Sequence, residues 1–286
     1  MTLVEILGAA LLAALLAALG WYLLIKTEGV YLGWRVVIWL YDLYAGRYDR
    51  IKGFDRTYET LFLARPIINR LRPLRAPLVL DVATGTGRLP LALLEQEDFQ
   101  GQVVGLDLSR KMLFQAAVNL AGYPRRYDLV WHTAAKLPFP DETFDLVTCL
   151  EALEFLPHPR VGLRELARVV RGGGTLLITN RRGRAARLLM PGRIFPTETL
   201  LALMQEELGL VDIRVERWQI DYDLVWARKP GESPPVEARP LWEIVRCPRC
   251  GEVEMVPLSS GEWVCTACEV RAPVGEDGVL ELFRAG

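Results

Sequence analysis

Histidine is nearly missing from this 286-residue chain: only His132 and His158 occur. His132 reads as a packing residue. His158, between Pro157 and Pro159, reads as part of a loop, so neither is taken as a catalytic group. Excess charge is missing too. Thirty-four Lys and Arg against thirty-five Asp and Glu leave a net charge of −1, which gives no global electrostatic case for nucleic acid. The placement of the five cysteines excludes a disulfide scaffold. Four fall in two pairs near the C-terminus, and Cys149 ends an apolar, strand-like run as a small core residue. That pattern suits a reducing compartment and a metal. No internal repeat is visible. What is present is apolar: 51% of the residues are hydrophobic, enough for a full α/β core with appendages.

The densest information lies in Leu78 to Gly87, Leu-Val-Leu-Asp-Val-Ala-Thr-Gly-Thr-Gly. An apolar run ends in Asp81, bends through a Gly-rich turn and enters a helix-like segment, Arg88 to Leu94. Strand, tight turn and helix start together make a nucleotide-cofactor cradle, because glycines let backbone approach a ligand. The dinucleotide fingerprint needs a third small residue, and here Pro90 follows Gly85-x-Gly87 instead. A second apolar run, Val103-Val-Gly-Leu-Asp-Leu-Ser109, ends in Asp107, 26 residues after Asp81. A carboxylate there can accept both hydroxyls of a ribose lying over the strand ends. Ser109 reads as the N-cap of a helix through about Leu120. Further strands are expected at Tyr127 to Trp131, at the run ending in Cys149, and at Thr175 to Thr179. Arg171 to Gly174 reads as a turn, Leu163 to Val170 and Thr197 to Gly209 as helices, and Val211 to Trp218 with Asp221 to Ala227 as a closing antiparallel pair.

The first segment resembles motif I of the class I S-adenosylmethionine (SAM) methyltransferases, and the Asp-Val-Ala-x-Gly-Thr-Gly form is similar to the ubiquinone and menaquinone C-methyltransferases. The resemblance covers about Tyr41 to Lys229 and implies a doubly wound, Rossmann-like, seven-stranded sheet. It implies SAM as cofactor, held by Asp81, Ala83, Thr84, Gly85, Gly87, Asp107, Leu108, Thr133, Ala134 and Leu150. Ala83 stands where the first glycine often sits, and Thr133 where many relatives carry an Asp for the adenine amino group. Tyr41 to Asp49 resembles the Tyr-Asp element before motif I, which makes Tyr48 a residue closing over the methionine end of SAM.

Ile6 to Ile25 is twenty residues without a charge. As a helix it is about 30 Å long, the thickness of the hydrocarbon layer. Trp21 and Tyr22 sit near its end, where aromatic rings favour the interface. No basic residue precedes it, whereas Lys26, Arg35, Arg47, Arg50 and Lys52 follow. The expectation is a single-pass protein of the inner (cytoplasmic) membrane, with the N-terminus outside and the catalytic domain in the cytoplasm. The lipid bilayer is then a partner. Alanines 9, 13 and 17, with 10, 14 and 18, form small-residue stripes suited to a transmembrane-helix partner. Trp34, Val37, Ile38, Tyr41 and Tyr44 recur at helical spacing, a stripe for the membrane surface, the cofactor pocket or core packing.

After a Pro-rich stretch come Cys247-Pro-Arg-Cys250 and Cys265-Thr-Ala-Cys268. Two such knuckles can present four thiolates tetrahedrally to a structural Zn²⁺ and leave no open position for catalysis. Val274 to Leu282 resembles the strand closing small zinc ribbons that partner or are fused to methyltransferases, although Glu269 stands where a knuckle glycine is usual. The expected organisation is residues 1–26 as membrane helix, 27–75 as an amphipathic helical cap, 76–229 as the SAM-binding domain, 230–240 as linker and 241–286 as ribbon.

Glu151 and Glu154, after the fourth strand, are the candidates for a base or for orienting a polar headgroup. The Asn-Pro-Pro-Tyr signature of amino-methylating enzymes is absent, with Thr148-Cys-Leu-Glu151 in its place. Arg181, Arg182, Arg184, Arg187 and Arg193 crowd the insertion after strand five, a patch for anionic lipid or RNA phosphate. Three functions compete. The leading one is a membrane-anchored methyltransferase acting on a lipophilic small molecule, a quinone precursor or lipid. The others are a non-catalytic subunit of a membrane complex, and an RNA or protein methyltransferase.

Overall fold

The computed structural model describes residues 2–283. A long helix, α1 (Leu3–Trp21), is capped at Thr2, whose hydroxyl accepts from the Glu5 amide while Glu5 bonds back. It continues through a wider turn, Tyr22–Lys26, to make a largely apolar helix of 24 residues with none of the first nineteen buried. At about 1.5 Å per residue this is long enough to cross a membrane. A cap of short helices follows: α2 (Trp34–Tyr44), α3 (Tyr48–Lys52), α4 (Arg56–Glu59) and α5 (Arg65–Leu71).

The body alternates strand and helix: β1 (Leu78–Val82), α6 (Arg88–Leu94), β2 (Gln102–Asp107), α7 (Arg110–Leu120), β3 (Tyr127–Trp131), β4 (Phe144–Cys149), α8 (Pro159–Val169) and β5 (Val170–Arg181). Then come α9 (Arg184–Leu189), α10 (Thr197–Ala202) and the strands β6 (Val211–Trp218) and β7 (Tyr222–Arg228). The C-terminal part adds β8 (Met255–Pro257), β9 (Glu262–Cys265), β10 (Arg271–Pro273) and β11 (Leu280–Glu281).

The main sheet has the order β11-β3-β2-β1-β4-β5-β7-β6. β1 pairs parallel to β2 and to β4, so the order reverses at β1, where an open α/β sheet forms its crevice. All of β1 and β4 are buried, because helices cover both faces and leave no strand position for water. Seven of the eight strands belong to the span expected from the sequence. The eighth, β11, comes from beyond the ribbon cysteines and pairs parallel to β3, so the seven-stranded expectation is corrected to eight. Arg171 to Gly174, expected as a turn, lies inside the long β5. The pairing with β4 shifts register there, and Gly173 takes φ +79°.

The Pro-rich stretch does not hang free. Asp145 is almost fully buried and accepts from the Leu78 amide (2.9 Å), the Arg171 guanidinium (2.6 Å) and the Val236 amide (3.0 Å). One carboxylate thus joins β1, β5 and the segment that leads to the cysteines. Ile244, Val245, Met255, Leu280 and Leu282 share a hydrophobic cluster with Phe139 and Phe144 of the body.

Candidate active site

A cavity opens over the carboxyl ends of β1, β2 and β4. Ala83, Thr84, Gly85 and Thr86 form one lip. A Cβ added to Gly85 would meet no atom within 4 Å, so this turn presents bare backbone to open space. Ala83 takes φ +58°, the left-handed conformation that favours glycine. Glu151, on the opposite lip, takes φ +51°. Two strained non-glycine residues facing one crevice mark it as a functional site.

Asp107 closes β2. One oxygen accepts the Gly85 amide and the other the Ser109 amide, both at 2.8 Å. Each carboxylate oxygen has a second lone pair, so the group still has capacity for two hydroxyls. Burial raises its pKa against the pull of those amides. Asp81 accepts the Thr148 hydroxyl at 2.6 Å, and burial raises its pKa to about 6. Leu108, Thr133, Ala134, Leu150 and Tyr48 line the same cavity. The Thr133 hydroxyl caps the Ala135 amide at 3.2 Å and keeps one lone pair. His132 lines the cavity as well, with its pKa lowered by burial. Gly87 lies outside the lining: at φ +79° it starts α6, and its α-carbon packs towards Ala116 and Leu120.

The two candidate acids separate. Glu151 lines the cavity, with Oε1 taking the Arg88 guanidinium at 2.9 Å and the Gln219 amide at 3.2 Å. Among the described residues its Oε2 has only Lys52, at 3.9 Å. Glu154 is buried behind the wall instead, accepting from the Tyr222 hydroxyl at 2.6 Å with Arg181 at 3.6 Å, and burial raises its pKa. It is a structural acid in this arrangement, not a cavity residue.

Arg88, Asp42 and Asp49 carried no local signal for this site. Arg88 lines the cavity and bridges Glu151 and Glu59. Trp34, Val37, Ile38 and Tyr41 of α2 form the cavity roof, which decides what their stripe covers. Asp42 accepts the Ser109 hydroxyl and Asp49 the Thr86 hydroxyl, each at 2.5 Å, so the cap is latched to both strand-end turns. Charged residues on the polar side of a cap helix would have been the only hint.

The four C-terminal cysteines converge. Cys247–Cys268 and Cys250–Cys265 sulfurs lie 3.5 Å apart, and one sulfur from each fits within 4.8 Å of all the others. Zn–S bonds of about 2.3 Å at tetrahedral angles place sulfurs roughly 3.8 Å apart, so the set fits zinc. Glu269 takes φ +59°, the conformation for which a knuckle glycine is usual.

This sheet order, with its crevice over the strand ends, is the fold of the class I methyltransferases. Residues 80–178 match the family described as Methyltransferase domain. The demethylmenaquinone methyltransferase of Desulfitobacterium hafniense (strain Y51) is 39% identical over 116 residues, 40% of this chain and 44% of that protein. That of Porphyromonas gingivalis is 32% identical over 146 residues, 49% of this chain and 58% of that protein. The chain thus spans about half the length of the curated relatives it matches. A SAM-dependent methyltransferase structure from Aquifex aeolicus superposes with TM-score 0.51 at 22% identity, covering 65% of this chain and 97% of that one, which shows the shared fold.

Proposed function

We propose that this protein is a membrane-anchored methyltransferase that transfers a methyl group from SAM to a lipophilic small molecule of the quinone-precursor kind. The observation that carries this reading is the cavity itself. Its floor is polar and built from Asp81, Gly85 and Asp107, whereas its roof and far wall are apolar, from Trp34, Val37, Ile38, Phe155 and Leu156. A nucleoside suits the first half and an apolar ring or chain the second. The named relatives support the same acceptor class, and the apolar helix α1 supports the anchor.

In this reading Asp107 holds the ribose hydroxyls, and Asp81 attracts the ammonium of the methionine end. Thr133 and Ala134 flank the adenine, with Leu108 and Leu150 packing around the nucleoside. Tyr48 closes from above. Bound SAM supplies an activated methyl group, and an acceptor that gains it loses a proton. Positioning does most of the work. Glu151 Oε2, with lone pairs free beside the cavity, takes the hydrogen bond or proton of an acceptor hydroxyl. Arg88 and Gln219 fix its other oxygen and so aim it. Basic residues follow α1, so the domain faces the cytoplasm.

The test is mass spectrometry of membrane lipids and quinones from cells with and without the protein, fed methyl-labelled methionine. Label in the quinone fraction that depends on the protein is the expected result. Label that appears only in RNA or protein would refute the acceptor class. Carbonate washing should leave the full-length chain in the membrane pellet, because burial of apolar side chains is insensitive to salt and pH.

Cofactor binding should also depend on pH. Asp81 titrates at about 6 in the folded protein against a reference of 3.8. Its folded pKa is raised, so the native state holds the extra proton between these values and is fully charged only above about 6. The charged form attracts an ammonium. SAM affinity is therefore expected to be flat above pH about 6 and to fall below it, by at most about tenfold per unit for one proton. Asp81→Asn should flatten the profile. A wild-type profile already flat from pH 5 to 8 would remove Asp81 from the ammonium site.

A further inference from the structure

The arginine-rich insertion is less uniform than its composition. Arg181 lies 3.6 Å from Glu154 and Arg182 the same distance from Asp223. Arg193 donates to the carbonyls of Leu156 and Val30, at 2.7 and 3.2 Å. Those three hold the fold together. The guanidinium groups of Arg184 and Arg187 in α9 form no hydrogen bond or ion pair among the described residues, and beside them Leu188 is 82% exposed and Leu189 41%. Two bare leucines beside two unpaired cations on one short segment are suited to an interface between water and hydrocarbon, the leucines to the apolar side and the cations to the polar side.

The position of α9 says which interface. The Tyr22 hydroxyl, at the end of the long apolar helix, donates to the Leu189 carbonyl at 2.5 Å. The Tyr31 hydroxyl donates to the Pro191 carbonyl at 3.0 Å. Val30, Met190 and Ile194 make a small apolar cluster between the two segments, with Val37 and Phe155 packed against it. α9 is thereby pinned to the level at which α1 ends, where a spanning helix meets the headgroups. Ala186 of α9 packs against the same cluster, and Val37 and Phe155 also line the cavity, so this cluster links α9 to the acceptor half of the site.

We infer that α9 is a second membrane contact, with Leu188 and Leu189 seated in the headgroup boundary and Arg184 and Arg187 on anionic lipid phosphates, which holds the acceptor side of the cavity against the bilayer. This rests on the anchored reading of α1. Two leucines and two surface arginines give a contact too weak to hold the protein alone, but the anchor removes the cost of bringing it to the membrane. A lipophilic acceptor then reaches the cavity from the bilayer without crossing water.

The full-length protein in lipid nanodiscs tests this by limited trypsin digestion at the bonds after Arg184 and Arg187. The bond after Arg125, on the exposed turn before β3 and at the opposite end of the sheet from the cavity, serves as the reference. Cleavage at the two α9 bonds should be about tenfold slower in phosphatidylglycerol-containing nanodiscs than in detergent, and intermediate in pure phosphatidylcholine, with the reference unchanged. Leu188→Glu should restore the detergent rate while the chain stays in the disc. Equal rates in anionic discs and detergent, with the chain disc-borne and carbonate-resistant, would overturn the α9 contact and leave the anchor standing. A chain that does not co-purify with discs would overturn the anchor and this contact together. Protection produced in detergent by a poly(U) oligonucleotide, and absent in anionic discs, would overturn the lipid assignment in favour of RNA.

Discussion

Replacing Cys250 by Ser is expected to release the metal and to destabilise the whole α/β body, not the C-terminal segment alone. Zinc binding free energy acts as folding free energy for the segment it organises. Here that segment is built into the body: its Ile244, Val245, Met255, Leu280 and Leu282 share a cluster with the residues under the main sheet. Arg110, at the start of α7, is held by Asp277 at 2.7 and 2.8 Å and by Glu281 at 2.7 Å. Phe283 packs edge-on against Trp131 and against Trp34 of the cavity roof. Losing the metal therefore loosens the edge of the sheet, the first turn after Ser109 and one support of the cap. The expected cost is about 3 kcal/mol or more, a fall of roughly 10 °C in the unfolding midpoint, with weakened SAM binding. Metal analysis with calorimetry of wild type and variant checks it. Two separate transitions with the upper one unmoved would show that the ribbon and the body fold independently.

Asp107→Ala is expected to weaken SAM binding at least a hundredfold, about 2.7 kcal/mol. The loss exceeds that of a pair of ribose contacts because the same carboxylate receives the Gly85 and Ser109 amides. Truncation leaves those donors unpaired and frees the Gly-rich turn as well as deleting the ligand contact. Asp107→Asn should recover only part of the affinity, since its amide group turns a donor towards an N–H where the carboxylate had only acceptors. Titration calorimetry reads the affinity, and a small shift in melting temperature, of a few degrees, would show that the fold survives. Affinity within twofold of wild type would refute the ribose assignment.

Much of the cavity floor was legible in the chain. Asp81, Gly85 and Asp107 sit in two segments whose chemistry is local: an apolar run, a strand-end acid, then residues that tolerate a tight turn or cap a helix. Ser109 accepts the Met112 amide as an N-cap should. The cysteine knuckles and the uncharged twenty-residue run were legible for the same reason, since spacing of a few residues, or unbroken length, carries the whole signal. Arg171 to Gly174 misled because glycines favour turns, whereas here they let β5 pass close to Asp145: a Cβ at Gly174 would stand 2.9 Å from its carbonyl oxygen.

What the sequence by itself determined, then, was every element whose cause lies within one turn or one strand. The tertiary structure alone decided which of two acids three residues apart faces the cavity. Glu151 was left at the lip and Glu154 was turned to Tyr222, 68 residues away. It alone placed Arg110 on Asp277, 167 residues distant, and Tyr22 on Leu189, also 167 residues distant. The physical reason is common to all three. A carboxylate, guanidinium or phenol drawn wholly or partly out of water must find a partner, and which partner it finds depends on which surfaces the sheet and its cap leave to be covered, a choice that no short stretch of chain contains.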